Sequence, residues 1–269
     1  MFQDRVVIIT GASSGIGKAT AIEFARNGAK VVIAARNIEK LKLVESEIKS
    51  FQPEVFAIQA DVDVEADCEK IVKECINKFG KLNVLINNAG ISMRALFSEL
   101  DLQVIEKVMQ TNFWGTVYCT KHALPYLLET KGSVVGVLST AAFRGLPGRT
   151  GYSAAKFAVN GFLECVRTEN VYKGLHVLIA APGFTTSNIR VTALMKDGSE
   201  QGKSPRQEGK MISAERVAKR IFRSVKKRKS HLVMSYYGKL IYVFNKFCPV
   251  WLDKAVYRHF AKEEGSPFK

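Results

Sequence analysis

The sequence has little of what marks secreted, zinc-binding or membrane-spanning proteins. Its five cysteines form no CxxC pair and their number is odd, so neither a disulfide framework nor a zinc site is indicated, and we expect no metal. No uninterrupted apolar run reaches the ~18 to 20 residues that a membrane-spanning helix requires. The chain enters a strand-like run without the apolar segment of a secretion signal. We therefore expect a cytoplasmic protein.

Acidic side chains are also scarce, and the shortage is uneven along the chain. The 269 residues include 40 lysines and arginines against 25 aspartates and glutamates, a formal charge of +15. Between residues 203 and 269, 17 basic residues stand against only 5 acidic ones. Hydrophobic residues make up 47% of the chain, an ordinary share for a globular protein. We expect one large domain with its excess positive charge concentrated in the last quarter of the chain.

Short β-branched runs alternate with amphipathic segments of helical length, which is typical of an α/β domain with a parallel sheet. We predict strands at 5–10, 30–35, 54–60, 83–87, 133–138, 176–181 and 231–234. The predicted helices lie at 18–27, 38–50, 64–79, 100–129, 151–171 and 214–226. Ligands bind such a domain at the carboxyl ends of the strands, so polar residues that follow strands are the functional candidates.

A glycine-rich turn follows the first predicted strand and opens the first helix. Glycines let the backbone approach a pyrophosphate, and the helix N-terminus offers unpaired N–H groups. The spacing is GxxxGxG rather than the general GxGxxG fingerprint, so a purely structural turn is the alternative. The candidate cofactor contacts in this turn are Gly11, Ser13, Ser14, Gly15, Ile16 and Gly17.

The ends of the next strands carry the signals for cofactor choice. The second strand ends in Ala35 and Arg36 where an acid commonly grips a ribose 2′-hydroxyl. An arginine can instead bind a 2′-phosphate, which favours NADP(H) over NAD(H); a solvated strand end is the alternative. Asp61 and Val62 close the third strand, where the carboxylate could accept from an adenine amino group or cap the next helix. The small residues Asn88, Ala89 and Gly90 end the fourth strand and leave room for a ribose.

The strongest chemical signal is Tyr152 followed four residues later by Lys156. In a helix both side chains lie on one face, and a nearby cation favours the phenolate of a tyrosine that otherwise ionises near pH ~10. Ser139 follows a buried strand, so its hydroxyl would emerge at the same edge. Such a pair also occurs in helices as an aromatic stem beside a solvated lysine. Asn112, inside an apolar helix, is either a satisfied core group or a break that holds a water.

Together these residues resemble the classical short-chain dehydrogenases/reductases. Thr10-Gly11-x-x-x-Gly15-x-Gly17 resembles the cofactor turn of that family, and Asn87-Asn88-Ala89-Gly90 resembles its central-strand motif. Asn112, Ser139, Tyr152 and Lys156 match its catalytic tetrad, and Pro182-Gly183 closes the site. The resemblance covers roughly residues 4 to 235. It implies a Rossmann-type, doubly wound fold with a seven-stranded, mostly parallel sheet flanked by helices in a single domain, followed by a C-terminal helical extension.

The resemblance also implies roles. Tyr152 would be the general acid in reduction, Ser139 would polarise the substrate oxygen, and Lys156 would bind the nicotinamide ribose and shift the ionisation of the tyrosine. Asn112 would hold a water that relays protons. Further cofactor contacts would be Pro182, Gly183, Thr185 and Ser187, although the last two depart from the usual family residues. An NADP(H)-dependent oxidoreductase acting on an apolar or lipid-like ketone is expected, with a non-catalytic cofactor-binding or scaffold protein as the alternative.

The chain is expected to divide into a catalytic domain at 1–235, with a substrate lid at 185–212, and a basic, aromatic extension at 236–269. The extension interleaves basic residues with Tyr236, Tyr237, Ile241, Tyr242, Phe244, Phe247, Trp251, Tyr257 and Phe260. Three uses are open: packing on a second subunit, peripheral contact with an anionic membrane surface, or binding an acidic partner. Nucleic acid is disfavoured, because charge alone gives unspecific attraction. A homodimer or homotetramer is expected from the small residues Ala154, Ala155, Ala158 and Gly161 on the Tyr152 helix.

Overall fold

A computed structural model describes residues 2–204, 211–262, 266 and 268, without the side chains of Tyr236, Tyr237, Ile241 and Lys246. Part of the predicted lid and the basic residues Arg206 and Lys210 therefore lie outside the described residues. The strands are β1 (Val6–Thr10), β2 (Lys30–Ala35), β3 (Val55–Gln59), β4 (Val84–Asn87), β5 (Ser133–Val137), β6 (His176–Ala181) and β7 (His231–Val233). Each coincides with a predicted strand to within one residue at either end.

The helices follow the strands in alternation. They are α1 (Gly15–Arg26), α2 (Ile38–Lys49), α3 (Glu65–Phe79), α4 (Leu102–Met109), α5 (Gly115–Glu129), α6 (Thr150–Glu169), α7 (Ala214–Lys226), α8 (Tyr236–Phe247) and α9 (Pro249–Ala261). The single helix predicted over 100–129 is wrong in one respect, since a π-helical turn at Gln110–Trp114 separates α4 from α5. α1 also begins three residues earlier than predicted, inside the glycine turn itself.

The seven strands form one sheet in the order β3-β2-β1-β4-β5-β6-β7. Every pairing is parallel, so the expectation of a mostly parallel, doubly wound sheet is confirmed. β1 lies between β2 and β4, and the chain leaves its first run of strands at β3 to continue on the other side of β1. Ligands bind a doubly wound sheet at such a reversal of strand order.

Two apolar cores hold helices against the two faces of the sheet. On one face, alternate strand residues such as Ile8 and Leu85 pack against α3, α5 and α6. On the other, the intervening residues such as Ile9 and Ile86 pack against α1, α2 and α7. Strands buried on both faces are continuously apolar, which is why the β-branched runs were recognisable in the sequence.

The C-terminal helix pair, α8 and α9, packs on the loop that follows β5. The ring of Tyr242 meets that of Phe143 edge-on at 4.8 Å, and the Asn245 amide donates to the Phe143 carbonyl at 2.9 Å. Arg144 donates to Asn245 Oδ1 at 2.7 Å and forms an ion pair with Asp253. The extension thus packs on the β5 loop of the same chain, a contact outside the three uses considered from the sequence. Among the described residues, no helix has the length and apolar character needed to cross a bilayer.

Candidate active site

The glycine turn between β1 and α1 is shaped by the close approach of backbone. Gly11 has φ +64°, and a Cβ there would lie 2.8 Å from Ala89 Cα. A Cβ at Gly17 would collide with the Gly11 carbonyl and lie 2.5 Å from Asn88 Nδ2. Only glycine fits both positions, so the turn can present bare backbone N–H groups. Such a cradle suits the pyrophosphate of a dinucleotide.

Hydrogen bonds join this turn to the end of β4. The Thr10 hydroxyl accepts from the backbone N–H groups of Asn88 and Ala89, each at 3.1 Å. The Asn88 amide donates to the carbonyls of Thr10 at 2.9 Å and Gly11 at 3.2 Å. Asn88 and Ala89 are thereby fixed beside the turn.

The first turn of α1 lies at the mouth of this cradle. Ser14 is the N-cap, and its side chain makes no capping hydrogen bond. The helix starts at Gly15, and Ile16 lines the cleft at the strand ends. Ser13 is half-buried and Ser14 is exposed. Residues 13–17 are therefore arranged so that an anionic group could be held at a helix N-terminus.

The residues proposed from the ends of β2 and β3 lie further from the cleft. Arg36 is exposed directly after β2, and its carbonyl accepts from Gln59 Nε2 at 3.1 Å. Asp61 Oδ1 accepts from the backbone N–H of Asp63 at 3.1 Å. Because the N-cap of α3 is Val64, the interpretation of Asp61 as a helix cap is wrong. Val62 is buried and faces Gly115.

A cleft opens at the carboxyl ends of β4, β5 and β6. Its lining includes ten of the predicted site residues, namely Ile16, Asn88, Gly90, Ser139, Tyr152, Lys156, Pro182, Gly183, Thr185 and Ser187. None of the cleft-lining residues in the described chain is an aspartate or glutamate. Three cationic side chains, those of Arg149, Lys156 and Arg190, do line it. The cleft therefore favours ligands that carry negative charge or high electron density.

Ser139, Tyr152 and Lys156 meet at this cleft. Ser139 lies two residues after β5, and its Oγ accepts from the Ala141 N–H at 3.2 Å. Tyr152 and Lys156 are both buried on one face of α6, with Lys156 Nζ 5.7 Å from the centre of the Tyr152 ring. Lys156 also donates to the Val137 carbonyl at 3.1 Å, so the lysine is anchored to the end of β5.

The ionisation of this pair differs from the sequence-based expectation. Burial raises the pKa of Tyr152, while a hydrogen bond with Ser139 and the charge of Arg149 lower it by less. Burial also lowers the pKa of Lys156 to about 8. The expectation that Lys156 brings the phenol towards neutral pH is therefore not met in this structure, since loss of solvent is the largest effect on both groups.

Asn112 lies in the π-helical turn between α4 and α5. Its Oδ1 accepts from the Ile91 N–H at 2.8 Å and its Nδ2 donates to the Ile91 carbonyl at 2.9 Å. The Asn112 carbonyl accepts from the Thr116 hydroxyl at 2.9 Å. The side chain is thus a satisfied core group that holds the loop after Gly90 in place. π-helical turns are frequent at functional sites.

The described part of the predicted lid, 185–204, packs on the loop after β4. Leu194 donates from its N–H to the Ser92 carbonyl at 2.9 Å and accepts from the Arg94 N–H at 2.8 Å. Thr185 is buried and donates to the Gly183 carbonyl at 3.0 Å. Ser187 is half-buried, with its Cβ 3.3 Å from the position that a Cβ at Gly15 would take. This segment therefore forms one side of the cleft.

Several cleft-lining residues were not singled out from the sequence, among them Arg149, Phe184, Ile189 and Arg190. The sequence did contain an indication for Arg149, because it precedes Tyr152 by three residues and a helix would place both residues on one face. Arg190 donates to the Thr185 carbonyl at 2.9 Å, a contact made within an irregular segment. No periodic pattern could have indicated it.

Comparisons with known proteins agree with this geometry. A family model described as short chain dehydrogenase matches residues 5–197. The curated 11-beta-hydroxysteroid dehydrogenase-like 2 of Arabidopsis thaliana is 36% identical over 253 residues, covering 93% of this chain and 79% of that protein. Dehydrogenase/reductase SDR family member 7B of Mus musculus is 34% identical over 240 residues, covering 87% of this chain and 74% of that protein. The crystal structure of 3-ketoacyl-(acyl-carrier-protein) reductase from Brucella melitensis, complexed with NADH, has a TM-score of 0.76 at 26% identity and covers 86% of this chain and 97% of that one.

Proposed function

The chain belongs to the short-chain dehydrogenase family, and on that premise we propose that it is an NADP(H)-dependent oxidoreductase that reduces the ketone of an apolar substrate to a secondary alcohol. The observation that carries the proposal is the meeting of Ser139, Tyr152 and Lys156 in one cleft beside the glycine turn. A binding or scaffold protein would need the turn but not the three reactive side chains.

Each residue has a task that its position allows. The Ser139 hydroxyl would donate to the substrate oxygen, and Tyr152 would deliver the proton that this oxygen gains. Lys156, anchored on the Val137 carbonyl, would hold the ribose of the coenzyme. The Asn112 side chain would hold the loop after Gly90 in place. The π-helical turn in which it lies would hold a water that relays protons. When bound, the reduced nicotinamide would supply the hydride.

The coenzyme would lie along the residues that fit it. Gly11, Gly15 and Gly17, with Ser13, Ser14 and Ile16, would hold the pyrophosphate at the start of α1. Asp61 and Val62 would flank the adenine, while Asn88, Ala89 and Gly90 would line the ribose. Pro182, Gly183, Thr185 and Ser187 would form the nicotinamide side. Tyr152 and Lys156 would contact the coenzyme between the residues that line the ribose and those on the nicotinamide side.

The preference for NADP(H) is supported by Arg36 alone. Its side chain is exposed directly after β2, the next acidic residue in the sequence is Glu39, and a guanidinium suits a 2′-phosphate. The Brucella reductase was crystallised with NADH, so the fold itself does not set the preference. We expect Arg36→Asp to lower the NADPH over NADH ratio of kcat/KM at least tenfold, with Arg220→Asp, an exposed arginine on α7, as control. An unchanged ratio in Arg36→Asp rejects the 2′-phosphate role.

The proposed reaction is tested by NADPH oxidation with a panel of apolar ketones, including 2-decanone and steroid ketones. Tyr152→Phe should lose at least about 100-fold in kcat, since general acid catalysis contributes that much. Tyr172→Phe changes a fully exposed tyrosine and should be silent. Turnover that persists unchanged in Tyr152→Phe would show that the proton donor is misassigned.

A homo-oligomer is supported by the exposed face of α6. Ala154, Phe157 and Gly161 are exposed there, and a Cβ at Gly161 would meet nothing within 4 Å; Ala155, by contrast, is buried within its own subunit. We expect Phe157→Glu to lower the mass measured by sedimentation equilibrium. Leu43→Glu, which charges an exposed leucine on α2, should not. Equal masses for both variants and the parent would remove α6 from the interface.

Membrane contact is supported by the outer face of the C-terminal helix pair. Val243, Phe244, Phe247, Val250 and Trp251 are all exposed, Phe247 at 76% and Trp251 at 68%. Nearby Lys239, Lys254, Arg258 and Lys262 are exposed as well. An apolar surface with basic surroundings suits an anionic bilayer, from which an apolar ketone could be taken.

Vesicle sedimentation tests this surface. The full chain should sediment with phosphatidylcholine vesicles that contain phosphatidylserine, and Phe247→Ser with Trp251→Ser should abolish this. Tyr172→Ser removes an exposed aromatic elsewhere and should sediment like the parent. If the double variant also sediments like the parent, the helix pair does not contact lipid.

A further inference from the structure

Arg149 stands one helical turn before Tyr152. It is the N-cap of α6, three residues before Tyr152, and both residues line the cleft. The Arg149 carbonyl accepts from the Ser153 N–H at 2.8 Å and its own N–H donates to the Leu146 carbonyl at 3.1 Å. The residue is only 8% exposed and lines the cleft with Ser139 and Tyr152. A guanidinium is therefore built into the wall beside the phenol.

The C-terminal helix α9 contacts this guanidinium. The Arg149 carbon Cζ lies 5.2 Å from the centre of the Phe260 ring, which is within the range of a cation–π interaction. Phe260 is buried in a small cluster with Leu252 and Val256, and Leu146 packs on that cluster. Through Phe260, the extension reaches a side chain that borders the proposed acid.

Three cationic residues line the cleft with Tyr152, two of them on α6 or at its start. Lys156 follows Tyr152 on α6, Arg149 precedes it, and Arg190 lines the same cleft from the segment after β6. Burial lowers the pKa of Lys156 to about 8, so that lysine loses its charge in mildly alkaline solution. A guanidinium stays protonated at every pH that a protein tolerates. Arg149 also lowers the pKa of Tyr152.

We propose that Arg149 is a positioning residue for the reaction, a permanent cation that favours the ionised form of Tyr152 and is held in place by Phe260 of α9. This rests on the proposed function, in which Tyr152 transfers the proton. Through Phe260, the C-terminal extension would then help to set the acidity of Tyr152. This role is separate from any contact that the exposed face of α8 and α9 makes.

The test is a titration of Tyr152 in the full chain with NADP⁺ present. Tyrosinate absorbance near 295 nm is followed against pH, and the signal of Tyr152 is the difference between each protein and the same protein carrying Tyr152→Phe. Arg149→Met should move the Tyr152 midpoint upward by about one pH unit, since a nearby opposite charge lowers an acid's pKa by about that much or more. Arg149→Lys should restore most of the shift, and Phe260→Leu should give a smaller upward shift.

Arg26→Met is the matched control, because Arg26 also lies over a phenylalanine ring, that of Phe51 at 5.5 Å, but outside the cleft. It should leave the midpoint unchanged. NADPH binding, measured by its fluorescence, should be equal in the parent and in the Phe260→Leu and Arg26→Met variants that keep Tyr152, and so reports that the fold is kept.

An equal midpoint in Arg149→Met and the parent overturns the proposal, as does an equal shift in Arg26→Met. For any ketone of the panel that is turned over, the rate of the reverse reaction, alcohol oxidation, is measured against pH. In Arg149→Met the rising limb of this profile should move upward by as many pH units as the Tyr152 midpoint, and each unit lowers the rate on that limb tenfold. A higher KM with an unmoved limb would instead make Arg149 a substrate contact. The titration decides the inference even where the panel shows no turnover, while persistence of turnover in Tyr152→Phe counts against the proposed function alone.

Discussion

Replacing Asn112 by alanine should destabilise the protein strongly, because one side chain satisfies two backbone groups. Asn112 is 1% exposed, and it bonds both the N–H and the carbonyl of Ile91 at 2.8 and 2.9 Å. Alanine leaves both groups without these partners in a half-buried loop. A stranded polar group costs about 1–3 kcal/mol, so the two together should lower the free energy of unfolding by about 2–6 kcal/mol.

Urea unfolding followed by tryptophan fluorescence measures this loss, and Trp114 in the same turn serves as the reporter. Thr111→Val is the matched control. Thr111 is the buried neighbour of Asn112, and its hydroxyl has no hydrogen-bond partner among the described residues, so the nearly isosteric valine should be neutral or stabilising. The reasoning is refuted if Asn112→Ala stays within about 0.5 kcal/mol of the parent, the usual range for uninvolved sites.

Three further predictions follow from the same structure. Gly17→Ala should weaken NADPH binding at least tenfold in a fluorescence titration, because its Cβ would lie 2.5 Å from Asn88 Nδ2; Gly145→Ala, where a Cβ meets nothing within 4 Å, should bind normally. Between pH ~8 and 10.5, the unfolding free energy of the parent should rise relative to that of Lys156→Met. Burial lowers the pKa of Lys156 in the folded chain from 10.5 to about 8, so the unfolded chain binds more protons in that window. Parallel pH profiles of the unfolding free energy, measured in urea, would contradict this. Arg144→Ala should raise the KM for an apolar ketone several-fold and leave the KM for NADPH unchanged, because Arg144 links the C-terminal helix pair to the loop after β5. Equal changes in both KM values would indicate instead that the whole fold is destabilised.

Local spacing was enough to predict the parts of the site that depend on one element. Tyr152 and Lys156 are four residues apart on one helix, and the glycine turn directly follows a β-branched run. Each pattern lies within about ten consecutive residues, so it can be recognised without knowledge of contacts between distant segments. The alternation of strands and helices likewise predicted the parallel sheet, because each strand buried on both faces is apolar throughout.

Contacts between distant segments could not be predicted in this way. The Asn112 amide joins the π-helical turn to Ile91 in the loop after β4, a contact between distant segments that the helical pattern of 100–129 did not indicate. The packing of Tyr242 on Phe143 and of Phe260 on Arg149 joins segments about a hundred residues apart. The aromatic residues of the extension indicated a buried or bound face without indicating which surface it meets.

The reversal of strand order at β1, the third strand of the sheet, separates two tasks of the chain. On one side of it, β2 and β3 end in the residues proposed to hold the adenosine, and on the other side β4, β5 and β6 end around the cleft lined by Ser139, Tyr152 and Lys156. Of the later helices, α7 packs against α1, whereas the C-terminal pair α8 and α9 meets the loop after β5 and the start of α6. Changes confined to α8 and α9 could therefore reshape the substrate side of the cleft in descendants of this chain while the glycine turn after β1 is inherited intact.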